Sequence, residues 1–429
     1  MTRAPRLLVP LGDPAATDAD RFGPKAAGVA ALAQAGLPVP DGFCIDAAAY
    51  RCQLAALALE ATARRVMTTD GPEARRHALA LRLGLLEQPV EPVLAATLLA
   101  SWRALTGDGT LGVVRSSALV EDRAGSSFAG QFESFLGLAD AGDFLTALRA
   151  CWAALWSTRA LRYMAGHGID PAGTGMGVLV QTLVAAQASG GGLSRTAEGE
   201  MVLSATWGLG AAIAQGEVVP DRIRLSRNGT IREIEAGRKE HRETCTHGLT
   251  AVPRAVPRRL VCEPSLDRAQ IAVLGQLLLR AEDVMGVPVE IEWALDATGF
   301  KLLQARPLTV AEPSVPDEIW LQHPRLNGHP AGIGWGSGRA RVITCECELA
   351  RVGPGDVLVT RVAGPALSHI LPRVAGVVAE LGGSTSHLAS LARERGVPMV
   401  LGVLDATRRI PDGANVAVDG VAGIVRWMG

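Results

Sequence analysis

Apolar positions recur along this chain with two periods, and the places where the period changes mark its elements. From Phe22 to Tyr50, FGPKAAGVAALAQAGLPVPDGFCIDAAAY, a Gly-flanked lysine opens a short run with helical spacing, Gly-Leu-Pro stops it, and a strand follows. Residues 52–105, rich in Ala, Leu and Arg, predict helix. The stretch GVVRSSALVEDRAGSSFAGQFESFLGL (112–138) reads as strand, polar loop with two glycines, and strand again, with helices following over 141–166. GMGVLVQTLVAA (175–186) is apolar at nearly every position, as in a strand covered on both faces. Residues 187–237 carry the alternation and turn signals of an antiparallel sheet, broken by WGLGAAIAQG. After a helix near 266–285, VPVEIEWALDATGFKLLQARPLT predicts two strands joined by a turn at Asp296 to Gly299.

A Pro-rich, acidic segment, VAEPSVPDE (310–318), reads as a linker, because nothing in it asks to be buried. Beyond it, Gly-punctuated short strands alternate with one good helix. There VAGVVAEL (374–381) predicts a buried strand, Gly382 and Gly383 permit a tight turn, and Ser384 to Ser386 supply natural N-caps for a helix over 387–395. At 429 residues the chain is longer than one core usually reaches, so two or three domains are expected. No internal repeat is evident.

Composition narrows the function classes. The net charge is −1 with both signs mixed along the chain, which excludes the long basic stripe a nucleic-acid backbone needs. No apolar run approaches the roughly 18 residues of a membrane span, so no membrane partner and a cytoplasmic location are expected. The seven cysteines are odd in number, scattered, and never spaced C-x-x-C, which favours a reducing compartment without structural zinc and leaves Cys345-Glu-Cys347 incidental. Only three of the 42 basic residues are lysine (Lys25, Lys239 and Lys301), so a position that keeps lysine is a candidate for needing it.

The segment GGSTSHLASLARERGVP (382–398) holds the histidine with the clearest chemical context. His387 falls in the first turn of a helix, where unpaired N–H groups and the positive dipole end attract an anion and disfavour a second proton on the imidazole. A neutral ring beside a phosphate is a competent nucleophile. The hydroxyls of Thr385 and Ser386 are placed to hold phosphoryl oxygens, while the glycines keep side chains out of the way.

GGSTSHLASLARERGVPMVLG resembles the phosphohistidine segment of the phosphoenolpyruvate-utilising family, which includes phosphoenolpyruvate synthase, pyruvate phosphate dikinase and rifampicin phosphotransferase. The resemblance implies that His387 carries the phosphoryl group on a small domain that swivels between two active sites. Upstream, KAAGVAALAQAGLPVPDGF resembles the family's opening lysine segment, VVRSSALVEDRAGSSFAGQFESFL its arginine and glycine loop, and EIEWALDATGFKLLQARPLT its closing metal-binding hairpin. The implied fold is α/β (α+β): an ATP-grasp nucleotide-binding domain (1–309, lobes about 1–174 and 175–309), the linker 310–318, and a small β/β/α phosphohistidine swivel domain (319–429).

The residues themselves fit phosphoryl transfer from ATP, which needs cations on the phosphates, a metal, and a loop whose N–H groups close over them. Lys25 offers a point charge at a helix start, and Arg115 a fork at a strand end. Gly125 and Gly130 bracket SSFA, a loop able to approach phosphate closely, with Ser134 just beyond. Glu292 and Gln304 offer the hard oxygen ligands that Mg²⁺ prefers, and Arg306 shares a strand face with Gln304. By resemblance, Glu292 and Gln304 hold the metal, Arg306 contacts the phosphates, and Gln181 lies at the adenine-side hinge.

Two departures from the family stand out. AAQASGGGLSRTAEGE (185–200) replaces a Ser-Gly-Val-x-Phe-Thr-x-Asn-Pro type signature, and Ala211 follows Gly-Leu-Gly where relatives carry glutamate, which puts the second lobe of the nucleotide site in doubt. No acceptor domain is recognisable, so the leading expectation is a dikinase-type phosphotransferase that passes phosphoryl from ATP through His387 to a small-molecule acceptor or a separate acceptor subunit, releasing AMP and phosphate. The alternatives are a phosphocarrier or regulatory module, the nucleotide-binding component of a split phosphoenolpyruvate synthase, and a relative that binds nucleotide without turnover.

Overall fold

The computed structural model describes residues 6–69, 71–107, 109–121, 132, 134–245, 251–310 and 318–428. The loop glycines Gly125 and Gly130, and all of the linker except Val310 and Glu318, lie outside the described residues. The chain divides into two compact units, which are described separately. Mixed helices and sheets make up both, as the α/β reading expects.

The first unit comprises Met1–Ala185 with Cys245–Val252 and Lys301–Arg306. Its five-stranded sheet runs in the order Leu8–Pro10, Gly42–Ile45, Met176–Thr182, Gly112–Ala118, Ser134–Leu138, and every pairing is antiparallel. The strand Met176–Thr182, set by sequence near the start of a second lobe, is the middle strand of this sheet, and its near-continuous apolar run is buried as such a strand must be. The helix Pro24–Gln34 packs Ala26, Val29 and Ala30 onto Val9, Cys44 and Leu179. Its entry is fixed by Gly23 at φ +79, where a Cβ would fall 2.2 Å from the Ser117 carbonyl oxygen.

The helical stretch 52–105 resolves into pieces. Helix Ala47–Ala56 runs into it, and Glu60–Thr68, Gly71–Glu87 and Pro92–Thr106 follow. A left-handed Ala58 separates the first two, and Pro92 opens the last, whose N-cap Glu91 accepts from the Leu94 amide at 2.7 Å. Among the described residues no single helix is long and apolar enough to cross a membrane.

The second unit comprises Ala186–Thr244, Pro253–Phe300 and Pro307–Gly429. An antiparallel sheet orders Val289–Asp296, Ala188–Leu193, Met201–Trp207, Asp221–Leu225 and Ile231–Glu235. Helix Arg268–Met285 lies with it, opened by a capping box between Asp267 and Gln270 and closed by left-handed Gly286. The expected interruption at 207–216 holds a single short helix, Ala211–Ala214.

A further sheet of eight strands carries the C-terminal quarter, with Trp335–Ile343, Val357–Thr360, Gly376–Ala379 and Met399–Leu401 running parallel at its centre. Valines 357, 359, 378, 400, 416, 418 and 425 fill its core. Cys345 and Cys347 bring their sulfurs close together, while Cys44, Cys52, Cys151 and Cys262 are free.

Two of the three lysines, Lys25 and Lys239, enclose their charge, while Lys301 is half-buried. Lys239 is fully buried and pairs with Asp221, whose other oxygen accepts from the Ser265 amide at 2.8 Å and hydroxyl at 2.6 Å. Lys25 is also buried.

Candidate functional site

The loop after Gly376–Ala379 is built on its two glycines. Gly382 adopts φ +100 and donates its amide to the Val218 carbonyl at 3.0 Å. At Gly383 a Cβ would lie 2.5 Å from Pro220 Cγ, so the close approach of that proline requires glycine. Ser386 then caps the helix His387–Arg395, its hydroxyl accepting from the Ala389 amide at 3.3 Å. His387 is therefore the first helical residue, half-exposed, beside amides that have no intrahelical partner. Thr385 places its hydroxyl oxygen in the interior without a hydrogen-bond partner, a group that still needs one.

This loop is seated on the glycine-rich strand Ala188–Leu193. A Cβ on Gly191 would begin 2.6 Å from Thr385 Cβ, so Thr385 occupies the space a side chain there would take. Gly190 is as constrained, its absent Cβ being 1.8 Å from the Ser204 carbonyl oxygen and 2.9 Å from the Trp293 ring. Trp293, fully buried, donates from its indole to the Gly191 carbonyl at 3.1 Å. The departure from the family pattern at 185–200 thus forms a regular strand, paired on both sides, whose glycines make room for the histidine loop.

Glu292 is the cross-strand partner of Gly191. Such partners project to one face, so Glu292 leaves the sheet on the side where Thr385 sits. Two residues earlier on that face, Glu290 takes hold of the helix: its carboxylate accepts from Arg393 at 2.7 Å and from the Ser390 hydroxyl at 3.1 Å. Arg393 also donates to the Ser384 carbonyl at 2.6 Å, so one guanidinium braces loop, helix and strand together. Both charged groups are buried. This network was not foreseen, although Ser386, Ser390 and Arg393 recur at i, i+4 and i+7, a polar stripe on an otherwise apolar helix.

Behind the loop, His329 is wholly enclosed, and its Nδ1 lies 3.4 Å from where a Gly383 Cβ would stand. Burial, reinforced by the nearby Arg222 charge, pushes its pKa down to about 4, so the ring is neutral. Nδ1 has no hydrogen-bond partner. His369, by contrast, is exposed in a short 3₁₀ turn, Pro365–His369.

In the first unit the structure sets several sequence-predicted residues along the strand Gly112–Ala118. Lys25 Nζ donates to the Ser116 carbonyl at 3.0 Å and to the Glu121 carboxylate at 2.8 Å, so its charge is already partnered. Glu121, which sequence reasoning passed over, also accepts from the Ala118 amide. Arg115 forks onto the Leu303 carbonyl at 2.7 Å and the Gln304 side-chain oxygen at 3.2 Å, and Ser134 is its cross-strand neighbour. Arg306 and Gln304 are both buried. Gln181 is buried two residues beyond the strand partner of Arg115, with its amide 3.4 Å from the Pro40 carbonyl.

Among the described residues no cluster of three or more His, Cys, Asp or Glu forms a ready metal cage.

Residues 19–322 match the model of the pyruvate phosphate dikinase AMP/ATP-binding domain, and residues 352–423 match that of the mobile domain of phosphoenolpyruvate-utilising enzymes, which contains His387. A probable phosphoenolpyruvate synthase of Methanothermobacter thermautotrophicus is 31% identical over 94% of this chain and 61% of its own length. The phosphoenolpyruvate synthase of Aeropyrum pernix is 32% identical over 94% of this chain and 56% of its own length. A probable phosphoenolpyruvate synthase of Pyrococcus abyssi is 30% identical over 95% of this chain and 57% of its own length. The chain thus spans somewhat more than half of each of these relatives.

Proposed function

Because this chain belongs to the family defined by the pyruvate phosphate dikinase AMP/ATP-binding domain and carries the phosphoenolpyruvate-utilising mobile domain as well, we propose that it moves a phosphoryl group from ATP onto His387 and from there to a further acceptor. In this reading the β-phosphoryl of ATP ends on the imidazole, AMP and phosphate leave, and one water is consumed. The acceptor is a small molecule, with pyruvate the model from the relatives' names, or a separate subunit. Residues 319–429 act as the carrier domain, joined through 310–318 to the nucleotide-binding domain.

The observation that carries this reading is the seating of the His387 loop: Thr385 on Gly191, with Glu292 leaving the same face. A half-exposed imidazole at a helix start can receive phosphorus, and the first-turn amides with the Thr385 hydroxyl can take the phosphoryl oxygens. Lys25, Arg115 and Arg306 offset phosphate charge, with Ser134 and the loop around Gly125 and Gly130 closing over it. Mg²⁺, when bound by Glu292 and Gln304, neutralises charge that develops on the phosphates. Lys25 reaches phosphate by exchanging its Glu121 partner for it.

The test is incubation with ATP labelled at the β position. Acid-labile label is expected on the wild type and absent from His387→Asn. Label remaining in that variant rejects the assignment.

A further inference from the structure

A cavity of about 190 Å³ opens within the second unit, beside Ser384 and Arg393 and against the strand Asp221–Leu225. Four arginines reach its wall, and three are answered. Arg224 pairs with Glu200 at 2.7 Å, Glu233 at 3.2 Å and Glu198 at 3.4 Å. Arg393 pairs with Glu290 at 2.7 Å, and Arg195 lies 3.5 Å from Glu282. The two carboxylates in the wall, Glu198 and Glu200, are the ones engaged by Arg224.

Arg222 differs. Its side chain is only 19% exposed, its nearest ion-pair contact among the described residues is Glu235 at 3.9 Å, and its buried Nε has no hydrogen-bond partner. Burial holds its pKa below the ordinary arginine value. A guanidinium taken out of water with one donor unanswered is costly unless something supplies an acceptor.

We propose that this cavity is a binding site for a small oxyanion, of the size of inorganic phosphate or a three-carbon carboxylate, anchored by Arg222. The cavity volume admits such a ligand, the excess of arginine selects its charge, and Arg222 brings to the wall a guanidinium whose ion pair with Glu235 is long, at 3.9 Å. Since Ser384 and Arg393 belong to the wall, an anion there holds the His387 loop against the sheet. None of the residues assigned to ATP lines this cavity, and the site does not depend on the transfer reaction.

Calorimetric titration of the full chain with inorganic phosphate tests this, with lactate as the carboxylate arm. Wild type and Arg408→Gln are expected to bind with equal affinity, because Arg408 is 85% exposed and lies outside the cavity. Arg222→Gln should bind at least tenfold more weakly. Glu235→Gln, a change outside the cavity that removes the competing carboxylate, should bind severalfold more tightly and guards against a misfolded Arg222 variant. Binding of phosphate, or of lactate in its place, with this pattern supports the site and names the oxyanion. No binding to wild type, unchanged affinity in Arg222→Gln, loss in Arg408→Gln, or no tightening in Glu235→Gln overturns it.

Discussion

Thr385 rests on Gly191 so closely that a side chain at 191 would begin 2.6 Å from the threonine Cβ. The consequence is testable with one methyl group. Gly191→Ala forces the loop outward by overpacking, at a stability cost of about 1–3 kcal/mol. His387 labelling from ATP should slow at least tenfold while ATP binding is kept. Adding Thr385→Gly opens the space again and should recover the lost stability in thermal melts.

The ion pair between Arg393 and Glu290 makes the second prediction. Both side chains are buried, at 8% and 6% exposure, so removing one strands the other. Arg393→Met should cost about 3–5 kcal/mol in urea unfolding. The double change Arg393→Met with Glu290→Leu should recover most of it, because a well-packed apolar pair replaces a buried charge pair at little net cost.

How far these features could be read from sequence depends on how local their causes are. The His387 loop was legible because its glycines, N-cap and helix are consecutive, and Gly382, Ser386 and His387 adopt the expected roles. The strand Met176–Thr182 was recognised as buried, but its placement was not, since pairing with Gly42–Ile45 and Gly112–Ala118 spans long separations in the chain. The same limit hid Glu121 as the partner of Lys25, 96 residues away, and Glu290 as the partner of Arg393, 103 residues away. The glycines at 190–192 looked like a lost signature, and only the tertiary neighbours Thr385, Ser204 and Trp293 explain them.

Lys25 supplies a third prediction, one that separates charge from shape. The ammonium sits at 7% exposure between the Ser116 carbonyl and Glu121, in a geometry set by one donor atom. Under the proposed reaction Lys25→Ala abolishes His387 labelling, and so does Lys25→Arg despite its retained charge. Glu292→Ala should abolish labelling as well, through loss of a metal-binding oxygen. Normal labelling by Lys25→Arg would mean that charge alone suffices at this position.

His329 gives a prediction in pH. The unfolded chain protonates this histidine near its ordinary pKa of 6.5, whereas burial, with Arg222 beside it, delays protonation in the folded protein to about 4. Between those values the unfolded state holds the extra proton, so acid favours unfolding. The His329 contribution to stability is therefore fully present above about pH 6.5, is lost progressively as the pH falls towards 4, and levels off below it. The loss amounts to about 3 kcal/mol. Urea unfolding of wild type and His329→Gln across this range checks it: the variant should show the shallower dependence on pH. Parallel profiles would show that the ring takes up its proton in the folded protein as readily as in the unfolded chain, and that the enclosure against Gly383 opens in acid.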